Sequence, residues 1–284
     1  MTAKTKPSNP SPPLPDQAEC DAFRQLVYGA ARDEGRHFPW RETEDPYRIL
    51  VSEVMLQQTQ ADRVADRFNA FLGRFPDLRS LAIAELADVL SAWQGLGYNR
   101  RALNLQRSAA LILQNFGGKV PDNPDLLATL PGIGPYTAGA ITAFAFDRPV
   151  VFIETNIRTV FIHHFHGDRL QVHDRDILPL VAATLDRNQP RLWYNALMDY
   201  GVLLKRNHAN PSRRSAHHGR QSPFAGSNRQ QRSLLLKLLL ATPGMEEAEL
   251  AVAVSGKTET VINNLRMMER EGILAKKGKG WRVA

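Results

Sequence analysis

Apolar positions recur at helical spacing along most of the chain. Ile49, Val51, Val54, Met55 and Leu56 open one segment, and Val64, Phe68, Phe71 and Leu72 form a stripe on the next. Residues 78–90, with Pro76 and Asp77 ahead of them, predict a further short helix. Residues 101–116 carry Leu105, Ala109, Ile112 and Leu113 on one face and stop at Gly117 and Gly118, as helices commonly end on glycine. Residues 125–130 and 135–146 predict two helices joined by a tight turn over 131–134, and 157–165 and 177–185 continue the series. Sustained alternation of period two is missing until the C-terminus, and no internal repeat is visible. The body is predicted to be all-α.

Two segments need separate reading. Residues 126–146 are uncharged and long enough to suggest a membrane span, but Pro131, Gly132, Gly134 and Pro135 would break a helix in the first half. Residues 1–17 hold five prolines and no apolar run, so they predict neither a signal peptide nor an anchor. Residues 1–19 are expected to be a disordered tail.

With 284 residues, two domains are the prior. The formal charge of +7 favours an anionic partner, nucleic acid before membrane surface. Cys20 is the only cysteine, which excludes an intrachain disulfide framework and any cysteine-built zinc or iron–sulfur site. A reducing, cytoplasmic setting follows as the expectation.

Between Tyr200 and Met245 there is no acidic residue, while Lys205, Arg206, Arg213, Arg214, Arg220, Arg229, Arg232 and Lys237 lie within the stretch. Its middle is rich in Ser, Asn, Gly and Pro, so residues 205–230 predict a basic loop or linker, suited to phosphate contact. Beyond it, residues 232–241, 246–254 and 257–271 predict three helices. Two short strands follow around a basic, glycine-bearing turn. That order is the layout of a winged helix, which also serves as a docking module in other proteins. The expected domains are a core over 20–204, the basic loop, and a small winged-helix-like domain over 231–284.

The sharpest local signal is Leu130-Pro131-Gly132-Ile133-Gly134 between two short helices, where glycines let backbone N–H groups converge on a phosphate. Alone, it could equally be a tight corner between helices. It occurs in order with Pro39-Trp40-Arg41, with Val51-Ser52-Glu53-Val54-Met55-Leu56-Gln57-Gln58-Thr59, with Gly95-Leu96-Gly97-Tyr98, and with Pro135-Tyr136-Thr137-Ala138-Gly139-Ala140. Met198-Asp199-Tyr200-Gly201 follows. Together these motifs resemble MutY-type adenine DNA glycosylases of the helix-hairpin-helix superfamily that includes endonuclease III.

The resemblance implies a two-lobed helical fold acting on double-stranded DNA with a mispaired or damaged base flipped out of the stack, because the glycosidic bond is unreachable inside it. It assigns Glu53 as the general acid and sets Tyr136 beside the catalytic carboxylate. It assigns DNA contacts to Gln57, Gln58, Thr59, Tyr98, Gly132, Ile133, Gly134 and Thr137, and the basic loop adds Arg213, Arg214 and Arg220. Glycoside cleavage calls for one protonated carboxyl and one ionised carboxylate, which agrees. The second carboxylate departs from the family: Glu154 stands where Asp is usual, with Asn156 retained.

Three further departures follow. Tyr136 replaces the lysine of lyase relatives, implying a monofunctional hydrolase. Lys205, Ser212 and Ser215 stand among the positions of the family's iron–sulfur cysteines, so no cluster and no other metal or cofactor is expected. The C-terminal segment does not resemble the domain by which relatives read 8-oxoguanine. The histidines at 163, 164 and 166 lack the spaced partners of a metal site. The expected protein is a monomeric, nucleoid-associated enzyme removing adenine opposite guanine or 8-oxoguanine. The rival readings are a mismatch thymine or uracil glycosylase, and a catalytically weak DNA-binding regulator.

Overall fold

The computed structural model describes residues 12–219 and 223–284. Its helices are α1 (Gln17–Glu34), α2 (Pro46–Leu56), α3 (Ala61–Arg74), α4 (Leu78–Ala82), α5 (Leu86–Ala92), α6 (Arg100–Asn115), α7 (Pro124–Leu127), α8 (Pro135–Phe146), α9 (Thr155–Phe165), α10 (Asp174–Thr184), α11 (Pro190–Asn207), α12 (Asn228–Ala241), α13 (Glu247–Ala253) and α14 (Thr258–Arg270). Two strands, β1 (Leu274–Lys277) and β2 (Gly280–Val283), close the chain as an antiparallel hairpin with Leu274 opposite Val283 and Lys277 opposite Gly280. The chain divides into two compact units.

The first unit contains α1 and α8 to α11. Helix α1 starts inside the expected tail, because Asp16 and Glu19 form a capping box and Cys20, Phe23 and Val27 supply a buried stripe. Phe23, Phe161, Phe165 and Trp193 pack edge to face or stacked at its centre. Helix α11 lies against both α1 and α9, and its contact with α9 is unusually close. A Cβ added to Gly201 would stand 2.5 Å from the Asn156 carbonyl oxygen, so only glycine permits this approach.

The expected loop over 205–230 is a loop only in part. Helix α11 continues to Asn207 and α12 begins at Asn228, capped by Ser227. Between them a 3-10 turn, Pro211–Arg214, is pinned by the Asn210 side chain, which accepts from the Ser212 backbone and hydroxyl. Ser212 and Ser215 are buried, and residues 214–216 pair with Val172 through backbone hydrogen bonds. Arg220 lies outside the described residues.

The second unit contains α2 to α7 with α12 to β2. Helix α2 is buried almost all round, while α3 shows Val64, Phe68 and Phe71 to the core. The single helix expected over 78–90 is two: α4 stops at Ile83, and α5 restarts after Glu85. The C-terminal helices and hairpin share this unit rather than standing apart. Arg229 donates to the Tyr98 hydroxyl at 2.8 Å, and the Arg107 guanidinium lies beside Gly272.

Candidate active site

In the second unit, Glu53 sits in the second half of α2 and is 5% exposed, a carboxyl buried beside Ile49, Leu50, Val54 and Met55 of the same helix. The helix starts there because Asp45 caps the Tyr47 amide and Pro46 occupies the first turn. It ends at Leu56, and the following turn carries Gln57, Gln58 and Thr59, with Gln58 at a left-handed φ of 56°. The Gly95–Tyr98 segment also turns left-handed, at Gly95, Gly97 and Tyr98.

One side chain ties these two turns together. Arg101 is 8% exposed and donates to the carbonyls of Val54, Met55 and Gln57, then to Leu96 and Gly97 and to the Thr59 hydroxyl. It therefore caps the C-terminal end of α2, where unpaired carbonyls and the negative end of the helix dipole favour a cation. Two guanidiniums, those of Arg101 and Arg229, each lie 5.6 Å from the Tyr98 ring centroid.

The glycine turn is braced from the same unit. Ser108 donates to the Pro131 carbonyl and Gln57 to the Gly132 carbonyl, both at 3.1 Å. Gly132 has φ 76°, and a Cβ there would meet the Asn104 amide at 2.8 Å. With these carbonyls occupied, Gly132 and Gly134 are the exposed positions of the turn. Ile133 and Thr137 are instead buried, so their side chains are core and only their backbone could serve a DNA contact.

The first unit holds the second carboxylate. Glu154 is the N-cap of α9: its Oε1 accepts from the Asn156 and Ile157 amides, and its Oε2 from Asn156 Nδ2 at 3.2 Å. Burial pushes the carboxyl up from its ordinary value, while these amides and the Lys205 and Arg158 cations pull it back. Tyr136, on α8, is half-buried and packs near Phe152, with ring centroids 5.8 Å apart. Arg213 is exposed, but Arg214 turns toward α9 and donates to the Ile162 carbonyl.

Among the described residues no group of three or more His, Cys, Asp or Glu could hold a metal ion, and no helix is long and apolar enough to cross a membrane. The histidines of α9 have other contacts. His164 Nε2 lies 2.8 Å from the Tyr200 hydroxyl, and His163 packs against the His208 ring.

Residues 51–188 match the model of the HhH-GPD superfamily of base excision DNA repair proteins. That segment of the chain is of the HhH-GPD kind. An adenine DNA glycosylase of Mycobacterium tuberculosis (strain CDC 1551 / Oshkosh) is 45% identical over 133 residues, which cover 46% of this chain and 44% of the relative. An adenine DNA glycosylase of Buchnera aphidicola subsp. Baizongia pistaciae is 35% identical over 187 residues, or 64% of this chain and 52% of the relative. The chain spans about half the length of these curated relatives. A thermostable thymine-DNA glycosylase structure superposes with a TM-score of 0.60 at 26% identity, covering 65% of this chain and 86% of that one.

The HhH-GPD segment includes Glu53, the 57–59 turn, Tyr98, Arg101, the glycine turn, Glu154 and Asn156. Lys205, Arg213 and Arg229 fall outside it. Sequence reasoning missed Arg101 as the brace of this region. Its signal was there to find, because it stands four residues before Leu105 on the buried stripe of α6, where a charge needs partners.

Proposed function

We propose that this chain is a monofunctional DNA glycosylase that hydrolyses the N-glycosidic bond of a mispaired adenine. What supports this most is the pair of carboxyls, Glu53 enclosed in α2 and Glu154 held by two backbone amides at the start of α9. The adenine DNA glycosylases among the relatives favour the same substrate.

In this reading Glu53 delivers a proton to the departing base, for which an enclosed carboxyl suits the acid role. Glu154 stays ionised, set by α9 and Asn156, and stabilises the positive sugar that forms as the bond breaks. Tyr136 positions the carboxylate. The 57–59 turn and Tyr98 wedge into the duplex beside the vacated position, and Gly132 and Gly134 present their backbone to phosphate. Without an amine nucleophile at position 136, water completes the reaction and the strand is left intact. The basic segment with Arg213, Arg214 and Arg220 adds phosphate contacts, and the C-terminal helices and hairpin form a winged-helix-like module. No metal or cofactor takes part.

Single-turnover base release from a panel of duplexes tests the reading. Adenine opposite guanine or 8-oxoguanine should be released, with no strand cleavage until alkali is added. The structural likeness to a thymine-DNA glycosylase supports a second reading, release of thymine or uracil opposite guanine, and the same panel separates the two. Tight binding with no release from any duplex would leave only the DNA-binding regulator.

A further inference from the structure

Lys205 lies near the C-terminal end of α11, one helical turn past Gly201. The close approach at Gly201 brings α11 onto the start of α9, and the residue four positions on then meets the same end of that helix. The Lys205 ammonium donates to Asn156 Oδ1 at 2.7 Å, while Asn156 Nδ2 donates to Glu154 Oε2. A chain of hydrogen bonds thus runs from a half-buried cation through an amide to the carboxylate. The amide is polarised in the direction that favours a negative Glu154.

The other charges around this carboxylate are already engaged. Arg158, on α9 itself, makes two 2.7 Å bonds to Asp174 on α10. Arg36 is paired with Asp199 at 2.7 Å, and Arg214 reaches the opposite end of α9 at Ile162. Lys205 is bound to Asn156 instead of to a carboxylate.

We propose that Lys205 is a positioning residue for Glu154: it fixes the Asn156 amide and supplies the positive charge that keeps the buried Glu154 carboxylate ionised and oriented. The inference rests on the reading of Glu154 given above. It gives a role to a position that the core's own motifs do not reach, and to a lysine that would otherwise be surface. Burial lowers the Lys205 ammonium from its ordinary range while Glu154 raises it, as a mutually dependent pair requires.

The test uses the full chain and the variants Lys205→Met and Lys205→Arg. Base release is followed across pH on the best duplex of the panel. Removing a nearby opposite charge raises a carboxyl pKa by about one unit or more. Because Glu154 must be deprotonated, the acidic limb of the Lys205→Met profile should move up by about one pH unit with the basic limb unchanged, and the lost orientation of the carboxylate should lower the rate at neutral pH roughly 10-fold. Lys205→Arg should restore most of the rate and return the limb. A second readout needs no activity: the Glu154 side-chain carbon resonance, assigned through Glu154→Gln, should titrate about one unit higher in Lys205→Met. An active wild type whose limb and resonance are both unmoved in Lys205→Met overturns the proposal, even if thermal stability falls. A wild type that releases no base overturns the functional reading instead, and the resonance still decides whether Lys205 governs Glu154.

Discussion

Replacing Arg101 with Met nearly preserves volume but takes the donor away from five carbonyls and one hydroxyl at once. These acceptors belong to the end of α2, the 57–59 turn and the 96–97 turn. A single buried polar group left unpaired costs about 1–3 kcal/mol. Those costs do not add, because the two turns will part and admit water. A loss of about 3–5 kcal/mol is the reasonable total for breaking such a buried charged network. Burial lowers the guanidinium to about 10, so it is still charged at neutral pH. Arg101→Lys keeps a cation at the position but should nevertheless lose about 1–3 kcal/mol, because one nitrogen cannot span both turns as the planar fork does. Urea unfolding at pH 7 gives the totals, and hydrogen exchange over residues 54–59 and 95–99 shows whether the loss is local to the brace. Arg101→Met within about 1 kcal/mol of wild type, with exchange unchanged in both turns, would refute the view that this side chain holds the region together.

Further outcomes follow from the same geometry. Glu53→Gln should abolish base release while leaving duplex affinity within about threefold, since the lost proton serves only the transition state; near-normal single-turnover release would remove Glu53 from the acid role. Gly201→Ala drives a methyl into the Asn156 carbonyl, and should lower stability by about 2–4 kcal/mol as read by thermal melting, or force α9 and α11 apart. Arg213→Gln should reduce the log–log salt slope of duplex binding by ~0.9 if Arg213 meets a phosphate, and an unchanged slope would assign it to solvent. Glu154→Asp keeps a favoured N-cap residue, so melting should hardly change, yet it retracts the carboxylate by about a bond length and should slow release roughly 10-fold or more. A faster Asp variant would mean that Glu154 is a lapsed position and not a tuned one.

Much of the architecture was legible because it rests on local patterns. The stripes of α3 and α6 and the Pro–Gly turn before α8 mark those elements within a residue or two. The motifs around Glu53 and the glycine turn led to the superfamily that the comparison then found. What spacing and composition leave open is decided by capping and packing. Residues 78–90 carry one apolar face, but the Asp77–Ser80 box and the restart after Glu85 make two helices of it. Residues 17–19 sit next to a proline-rich run, and composition alone could not show that Asp16 caps a helix whose apolar face meets α10 and α11. Ile133 and Thr137 share a motif with exposed glycines, and only the packing distinguishes buried side chains from backbone that faces outward. The partners of Arg101 and Lys205 could not be read from spacing: Thr59 lies 42 residues from the first, and Asn156 lies 49 from the second.

The segment after α11 is held by side-chain and backbone hydrogen bonds. The resemblance implies a metal cluster after α11, and Lys205, Ser212 and Ser215 are expected among the positions of its cysteines. Serine cannot bind such a cluster, but two serines small enough to bury let the 3-10 turn Pro211–Arg214 fold inward, with Asn210 satisfying the Ser212 amide and hydroxyl. The backbone around Ser215 then pairs with Val172 ahead of α10, and Arg214 reaches the α9 carbonyl of Ile162. Packing and a handful of hydrogen bonds, each weak on its own, hold this segment. The Lys205 ammonium instead donates to Asn156. There, in the proposal made above, it supplies the counter-charge of the buried Glu154.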